Sequence, residues 1–453
     1  MSNGAVTLPL DLAELSFGAS GGSLVRRSVL PSGIRILSEK VPGARSASVG
    51  FWVAVGSRDE QPETYGSTHF LEHLLFKGTA GRSALDIAVA FDSVGGEHNA
   101  VTAKEYTCYY ARLRDQDLPM AIDVLADMFT SSVIDPAEFE TERGVILEEL
   151  AMADDDPQDV VSERFFEAAL GEHPLGRPIG GNPQTIGAVG RDAVWSHYRA
   201  NYRPQELVIT VAGAVDHDEF VRLATAALTR AGWALDTAAA PVSRRDPAPD
   251  AIERGQALLV VPRPIEQVNI IAGVPGLAAS DERRYTLSVL NAILGGGMSS
   301  RLFQQIRERR GLAYSVYSFA PGYSDAGLFG LYAGCSPAKA GQVGELMLAE
   351  FAALGADGPT EEELARAVGQ LGGGTALALE DTDTRMTRLG RSELTLGEFT
   401  DLDEVLRRIS AVTLSGVREL AAELASRPLS VAAVGAVDEA TLRGIAGTPA
   451  AVA

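Results

Sequence analysis

Arg203-Pro204-Gln205-Glu206-Leu207-Val208-Ile209-Thr210-Val211-Ala212-Gly213-Ala214-Val215-Asp216 decides the fold, because the pattern returns near the C-terminus as Arg427-Pro428-Leu429-Ser430-Val431-Ala432-Ala433-Val434-Gly435-Ala436-Val437-Asp438. Each copy reads as a buried strand, a turn and the start of a helix. Gly213 and Gly435 are 222 residues apart (435 − 213). A second pair fits the same offset: Asp135-Pro136-Ala137-Glu138 opens one helical pattern and Asp357-Gly358-Pro359-Thr360-Glu361 another. Proline followed by acids is a helix-start signal, since proline gives up an amide that has no partner there and acids favour the positive end of the helix.

The chain therefore reads as a duplication, in keeping with a length of 453 residues that exceeds one hydrophobic core. Residues 238–255 carry Pro241, Pro247 and Pro249, show no hydrophobic period and read as an extended linker. The expected domains are 24–237 and 256–447. Residues 34–41 and 47–55 suggest a hairpin, 106–113 a further strand, and 120–129 and 136–152 helices. Strands are expected at 257–261, 268–274, 313–319 and 328–334. The class is α+β: two homologous domains, each a mixed sheet packed with helices.

Composition narrows the function. Lys plus Arg number 39 and Asp plus Glu 60, a net charge of −21, which argues against binding a nucleic-acid backbone. Two cysteines, Cys108 and Cys335, are too few for a disulfide scaffold or a Cys-rich metal site and read as buried thiols. Asp11 and Glu14 near the start fit neither a secretory nor a mitochondrial leader, and no apolar run is long enough to cross a bilayer. A soluble bacterial cytoplasmic protein without a membrane partner is expected.

The chemistry lies in Ser67-Thr68-His69-Phe70-Leu71-Glu72-His73-Leu74-Leu75-Phe76-Lys77-Gly78. Ser67 or Thr68 could cap a helix here and Gly78 could end it. At about 100° per residue, His69, Glu72 and His73 share one face and Phe70, Leu71, Leu74 and Leu75 the other. Two imidazoles one turn apart can bind one zinc ion, and a carboxylate beside them can take a proton from the attacking water. A catalytic zinc site wants a third protein ligand. Glu142 and Glu149 are seven apart on the helix that opens at Pro136, and so share a face, while Glu148 points away.

His69-Phe70-Leu71-Glu72-His73, followed after 75 residues by Glu149, resembles the signature of the insulinase/pitrilysin family of inverted zinc peptidases, in its short-subunit branch related to the mitochondrial processing peptidase. The resemblance extends over Gly56–Glu60, Gly95–Thr102, Glu142–Glu149, Leu294–Phe303 and Arg307–Val316. It implies one zinc per chain held by His69, His73 and Glu149, with Glu72 as general base and Glu142 orienting a ligand. It implies that Asn99 and Ala100 lie on an edge strand to which a peptide adds its backbone. For His98, beside that strand, a local polar contact is the expected role.

The second half lacks the metal set: the segment matching the metal helix runs Asn291–Gly295, and the position matching Glu149 falls near Gly372. Gly295, Gly296 and Gly297 lack the Lys and Ser/Thr of a phosphate loop. The resemblance makes them a flexible loop on the substrate path; a helix-ending turn is the plain alternative. Arg307 and Tyr314 resemble the family's pair that approaches the reacting carbonyl, where both could donate to a developing oxyanion; an arginine-rich helix face with a core tyrosine is the alternative. In short subunits the facing half belongs to a second chain. The expectation is a homodimer with shared sites that hydrolyses peptides or unfolded segments in an enclosed chamber. A non-catalytic scaffold or recognition subunit is the competing class, though such relatives have broken zinc motifs.

Overall fold

The computed structural model describes residues 4–247 and 252–446. Part of the expected linker (248–251) and Gly447, the last residue of the expected second domain, lie outside the described residues. The strands are β1 (Ala5–Thr7), β2 (Glu14–Gly18), β3 (Leu24–Val29), β4 (Arg35–Lys40), β5 (Ser46–Val53), β6 (Glu97–Thr102), β7 (Thr107–Arg114), β8 (Leu207–Gly213), β9 (Leu258–Pro262), β10 (Val268–Pro275), β11 (Ala313–Phe319), β12 (Leu328–Cys335), β13 (Glu398–Thr400) and β14 (Ser430–Gly435). The α-helices are α1 (Ser67–Leu75), α2 (Ala84–Asp92), α3 (Leu118–Ser131), α4 (Pro136–Asp155), α5 (Pro157–Leu170), α6 (Pro183–Ala188), α7 (Arg191–Asn201), α8 (His217–Arg230), α9 (Arg284–Gly295), α10 (Ala340–Asp357), α11 (Glu361–Ala378), α12 (Thr382–Arg391), α13 (Leu402–Ser410), α14 (Leu414–Ala425) and α15 (Glu439–Ala446). No described helix is long and apolar enough to cross a membrane.

The duplication is visible in the sheets. One has the order β2-β3-β4-β8-β5-β7-β6 and the other, read from its far edge, β9-β14-β10-β12-β11. The five strands from β4 to β6 and the five from β9 to β11 thus follow one plan, to which the first sheet adds β2 and β3. The offset of 222 carries Ser46 onto Val268, the first residues of β5 and β10, and Leu118 onto Ala340, the first residues of α3 and α10.

The expected hairpin of residues 34–41 and 47–55 does not form. β8 lies between the two strands, parallel to β4 and antiparallel to β5. All seven β8 residues are buried, so this strand takes a central place where both faces are covered.

Nor do the compact units follow the contiguous ranges 24–237 and 256–447. One unit takes the described residues of 1–150, 178–244 and 376–404; the other takes those of 151–177, 245–375 and 405–453. Two matching helices have changed places. α12 packs on β4, β5 and β8 of the first sheet, and α5 packs on β10 and β14 of the second. Each covers an apolar face of the other half's sheet, burying Trp52, Cys108 and Val208 under Met386 and Leu389, and Ile271, Tyr332 and Val434 under Val161 and Phe165. Close approach needs glycine: a Cβ on Gly390 would stand 2.6 Å from the Trp52 ring, and one on Gly273 2.5 Å from the Phe165 ring. Buried charge ties the crossing segment down. Glu39, fully buried, accepts from Arg385 and Arg388, and the equally buried Glu393 pairs with Arg244 at 3.0 Å.

The opposite face of the first sheet is covered by α1, α3, α4 and α8, whose apolar sides join one core with β5, β7 and β8. α1 also packs on the edge strand β6. That contact brings the metal-binding sequence to the rim of the sheet.

Candidate metal centre

The site is built within the first unit. α1 starts at Gly66, whose φ of 90° is left-handed. Neither Ser67 nor Thr68 caps it. The buried carboxylate of Glu60 reaches back instead and accepts from the amides of Gly66 (2.8 Å) and Thr68 (2.6 Å). An acid held against the helix N-terminus does the work of an N-cap and meets the positive end of the dipole. The helix ends at Leu75, before Gly78.

Phe70, Leu71, Leu74 and Leu75 are fully buried, as the helical spacing requires, which leaves His69, Glu72 and His73 on the open face. α4 is then locked beside α1. Phe139 stacks on Phe70 at 4.4 Å with the rings 7° from parallel, and the Arg143 guanidinium lies 4.9 Å from the Phe139 ring centre. From Phe139, Glu142 is one turn along and Glu149 two turns further, so the stacked pair aims both carboxylates at the α1 histidines.

His69, His73 and Glu149 converge as the one group of this kind among the described residues. Their donor atoms form a triangle: His69 Nε2 to His73 Nε2 is 3.3 Å, His73 Nε2 to Glu149 Oε2 3.3 Å, and His69 Nε2 to Glu149 Oε2 3.7 Å. Zinc bonds of about 2.0–2.2 Å at tetrahedral angles put ligand atoms about 3.4 Å apart, so the donor set fits a zinc ion. The protonation state agrees. His73 Nδ1 lies 3.0 Å from Glu142 Oε2, which fixes its proton on Nδ1 and leaves Nε2 as a lone pair. Burial, and then the neighbouring His73, push the His69 imidazole down to about 4, so it is neutral at pH 7. Three electron-pair donors facing one point call for a cation.

Glu142 is only 2% exposed and makes a second contact that the sequence reading missed: Lys77 Nζ stands 2.6 Å from its Oε1. Lys77, two residues beyond α1, balances the charge of this buried carboxylate.

Glu72 sits beside the histidines and does not join the triangle. Thr102 Oγ1, the last residue of β6, donates to Glu72 Oε2. Thr102 too was not singled out as a site residue. β6 is the edge strand of its sheet, with β7 as its one neighbour among the described residues. The Ala103 amide donates to the Tyr106 carbonyl, and this parity turns the backbone groups of His98, Ala100 and Thr102 away from β7, towards the free edge. The Ala100 amide there is met by its neighbour's Asn99 Oδ1 at 2.8 Å. Asn99 and Ala100 thus lie where a strand can be added. His98 makes an aromatic contact instead of the expected polar one, stacked on Phe91 at 4.2 Å, and burial lowers its pKa.

The remaining expected residues belong to the second unit. Gly295 closes α9, where a Cβ would fall 2.2 Å from the Ser318 amide of β11, and the Gly296 carbonyl accepts from Gln370 Nε2 at 2.8 Å. The run has the geometry of a helix-ending turn packed on a strand. Arg307 lies on a π-helical turn (Phe303–Glu308), and its guanidinium rests 4.6 Å from the ring centres of both Phe303 and Tyr314. Tyr314 is 76% exposed.

Residues 35–183 match the family model for insulinase (peptidase family M16), and residues 188–371 match that for the peptidase M16 inactive domain. An uncharacterized zinc protease of Streptomyces coelicolor is 50% identical, covering 92% of this chain and 91% of its own length. The chain belongs to the insulinase peptidase family. Uncharacterized zinc proteases of Mycobacterium leprae and Bacillus subtilis are 44% and 38% identical, over 93% and 91% of this chain and 94% and 98% of their own. Among solved structures, a protease from Helicobacter pylori superposes with a TM-score of 0.80 at 21% identity, covering 91% of this chain and 99% of its own, which supports the shared fold. As a family member the protein is a metallopeptidase of the M16 type, and the zinc in its relatives' names agrees with the donor set of α1 and α4.

Proposed function

We propose that the protein is a zinc endopeptidase that cleaves extended peptides or unfolded segments, with one ion per chain held by His69, His73 and Glu149. The observation that carries this reading is the meeting of that triangle, the carboxylate of Glu72 and the free edge of β6 in one place. When bound, zinc supplies Lewis acidity at neutral pH. The chain's own residues do the rest. A substrate strand pairs with the outward backbone groups of β6, centred on Ala100, which fixes the peptide without demanding a sequence. Glu72 takes the proton of the attacking water and passes it to the leaving amine. Glu142 keeps the His73 ring in its ligating tautomer.

Arg307 and Tyr314 complete the site in trans, from a second copy of the chain, by donating to the oxyanion. Their mutual stacking supports a shared role, since it holds the two donors side by side. The protein acts as a homodimer with two shared sites.

The decisive test is Glu72→Gln, which removes the base and leaves the three ligands. About one zinc per chain should remain, with peptide cleavage lost; a fully active Glu72→Gln protein refutes the assignment. For the trans role, Glu72→Gln and Tyr314→Phe chains are mixed and allowed to exchange. Recovery of activity in the mixture supports shared sites, and none after proven exchange removes them.

A further inference from the structure

Thr102 closes the family-like stretch Gly95–Thr102, where the resemblance implies no role for it. It ends the edge strand, its side chain is buried, and its hydroxyl is spent on the carboxylate of Glu72. The alternation of β6 explains the aim. Glu97, Asn99 and Val101 are exposed, whereas His98, Ala100 and Thr102 face inward to the side on which α1 packs. The backbone of Thr102 also shares the outward parity of Ala100.

We infer that Thr102 is the positioning residue of the general base, and that it couples substrate pairing to the alignment of Glu72. The inference rests on the peptidase reading and adds to it a link between strand and base. Glu72 has three side-chain torsions, and without a partner its carboxylate would sample several rotamers. The Thr102 hydroxyl holds Oε2 and leaves Oε1 free to accept a proton. A peptide strand laid along β6 orders the residue that carries this hydroxyl, so a filled edge and an aimed base go together. β-branching stiffens the Thr102 side chain at χ1, which suits a fixed donor.

The test uses full-length, zinc-loaded protein and a quenched fluorescent peptide. Thr102→Val keeps the branched shape and removes the donor. A hydrogen bond to a charged group corresponds to a loss of ~10- to 100-fold in kcat, with KM and zinc content within about twofold of wild type. Thr102→Ser restores the donor and should recover most of kcat. In a Glu72→Gln background, where cleavage is already lost, Thr102→Val should leave peptide affinity, read by fluorescence anisotropy, unchanged. A kcat that survives Thr102→Val overturns the inference. So does a KM or anisotropy defect with kcat intact, because the residue would then shape the strand alone. A lower kcat that Thr102→Ser fails to recover overturns it too. A zinc-loaded wild type without peptidase activity overturns the functional reading itself, and the inference with it; a wild type that is active and sensitive to Glu72→Gln, yet indifferent to Thr102→Val, overturns only the inference.

Discussion

Glu142→Gln tests the metal centre without touching a ligand. Glu142 is buried between two donors: His73 Nδ1 at 3.0 Å and Lys77 Nζ at 2.6 Å. A carboxylate satisfies both because it only accepts. An amide of the same shape has one acceptor and one donor end, and both neighbours present protons. With its oxygen towards Lys77, its NH2 faces His73 Nδ1, and the imidazole must move its proton to Nε2, the atom that faces the cation site. With its oxygen towards His73, the NH2 opposes the partly exposed Lys77 ammonium. Either arrangement works against the loaded state, and such losses behind a ligating histidine cost about 10- to 100-fold in metal affinity, or ~1.4 to ~2.7 kcal/mol. A chromophoric chelator competing for zinc at pH 7.5 reads the affinity directly. A second readout is linkage: free zinc at about 100 times Kd stabilises the wild type by ~2.7 kcal/mol, and ~1.3 to ~2.3 kcal/mol of that should vanish for the variant at the same free zinc, while the metal-free proteins melt alike. A folded Glu142→Gln protein that binds zinc within twofold of wild type would refute the reasoning.

Three further outcomes follow from other parts of the first unit, which contains all three tryptophans, Trp52, Trp195 and Trp233, so that its unfolding can be followed by their fluorescence. Burial pushes His197 down to about 4, below its ordinary value of 6.5. The unfolded chain therefore takes up a proton first as pH falls, and stability is full above pH 6.5, declines towards pH 4 and then levels, by up to about 3 kcal/mol; His197→Gln should flatten that slope in denaturant titrations. Gly390→Val drives a side chain into the buried Trp52 ring, and overpacking of this kind costs about 1–3 kcal/mol, visible as a lower denaturation midpoint for the first unit. Ala100→Pro removes an outward amide that the β6–β7 ladder does not use, so KM should rise with zinc content intact; an unchanged KM would mean that the peptide is not held along β6.

How far the fold could be read from the sequence depended on the kind of signal. The copies ending at Gly213 and Gly435 revealed the duplication, because a buried strand followed by a turn and a helix leaves a pattern within one short window. Strands 268–275 and 313–319 were legible for the same reason. Pairing was not. Residues 34–41 and 47–55 are neighbours in sequence, yet β8, more than 150 residues away, comes between them. The exchange of α5 and α12 left no local trace either. Each is amphipathic whichever sheet it covers, and it takes tertiary contacts, such as the glycines that meet Phe165 and Trp52, to show which sheet that is. Contiguous boundaries were the natural inference from a repeat, and the crossing helices are why they fail.

At the metal centre the divide falls between residues fixed by helical spacing and residues fixed by tertiary approach. His69, Glu72 and His73 were legible because one turn of helix places them together; Glu142 and Glu149 share a face of α4, but it was the family resemblance that gave them roles. Lys77, Thr102 and Glu60 were not, since each reaches a partner on a different element: a helix, a helix and a helix start. A threonine late in an alternating strand is what β-propensity alone would choose, so its hydroxyl carries no sequence signal until α1 is laid against β6. The three missed contacts share one character. None of these side chains belongs to the His69–His73–Glu149 triangle, and each holds a group that does or that stands beside it: the start of α1, the carboxylate behind His73, and the carboxylate of Glu72. Geometry near a reacting atom tolerates errors of about half an ångström, and two ligands on one helix with a third on another cannot meet that tolerance through their own rotamers. The sequence motif therefore names the candidate donors, and the contacts that it does not spell out determine how they are held.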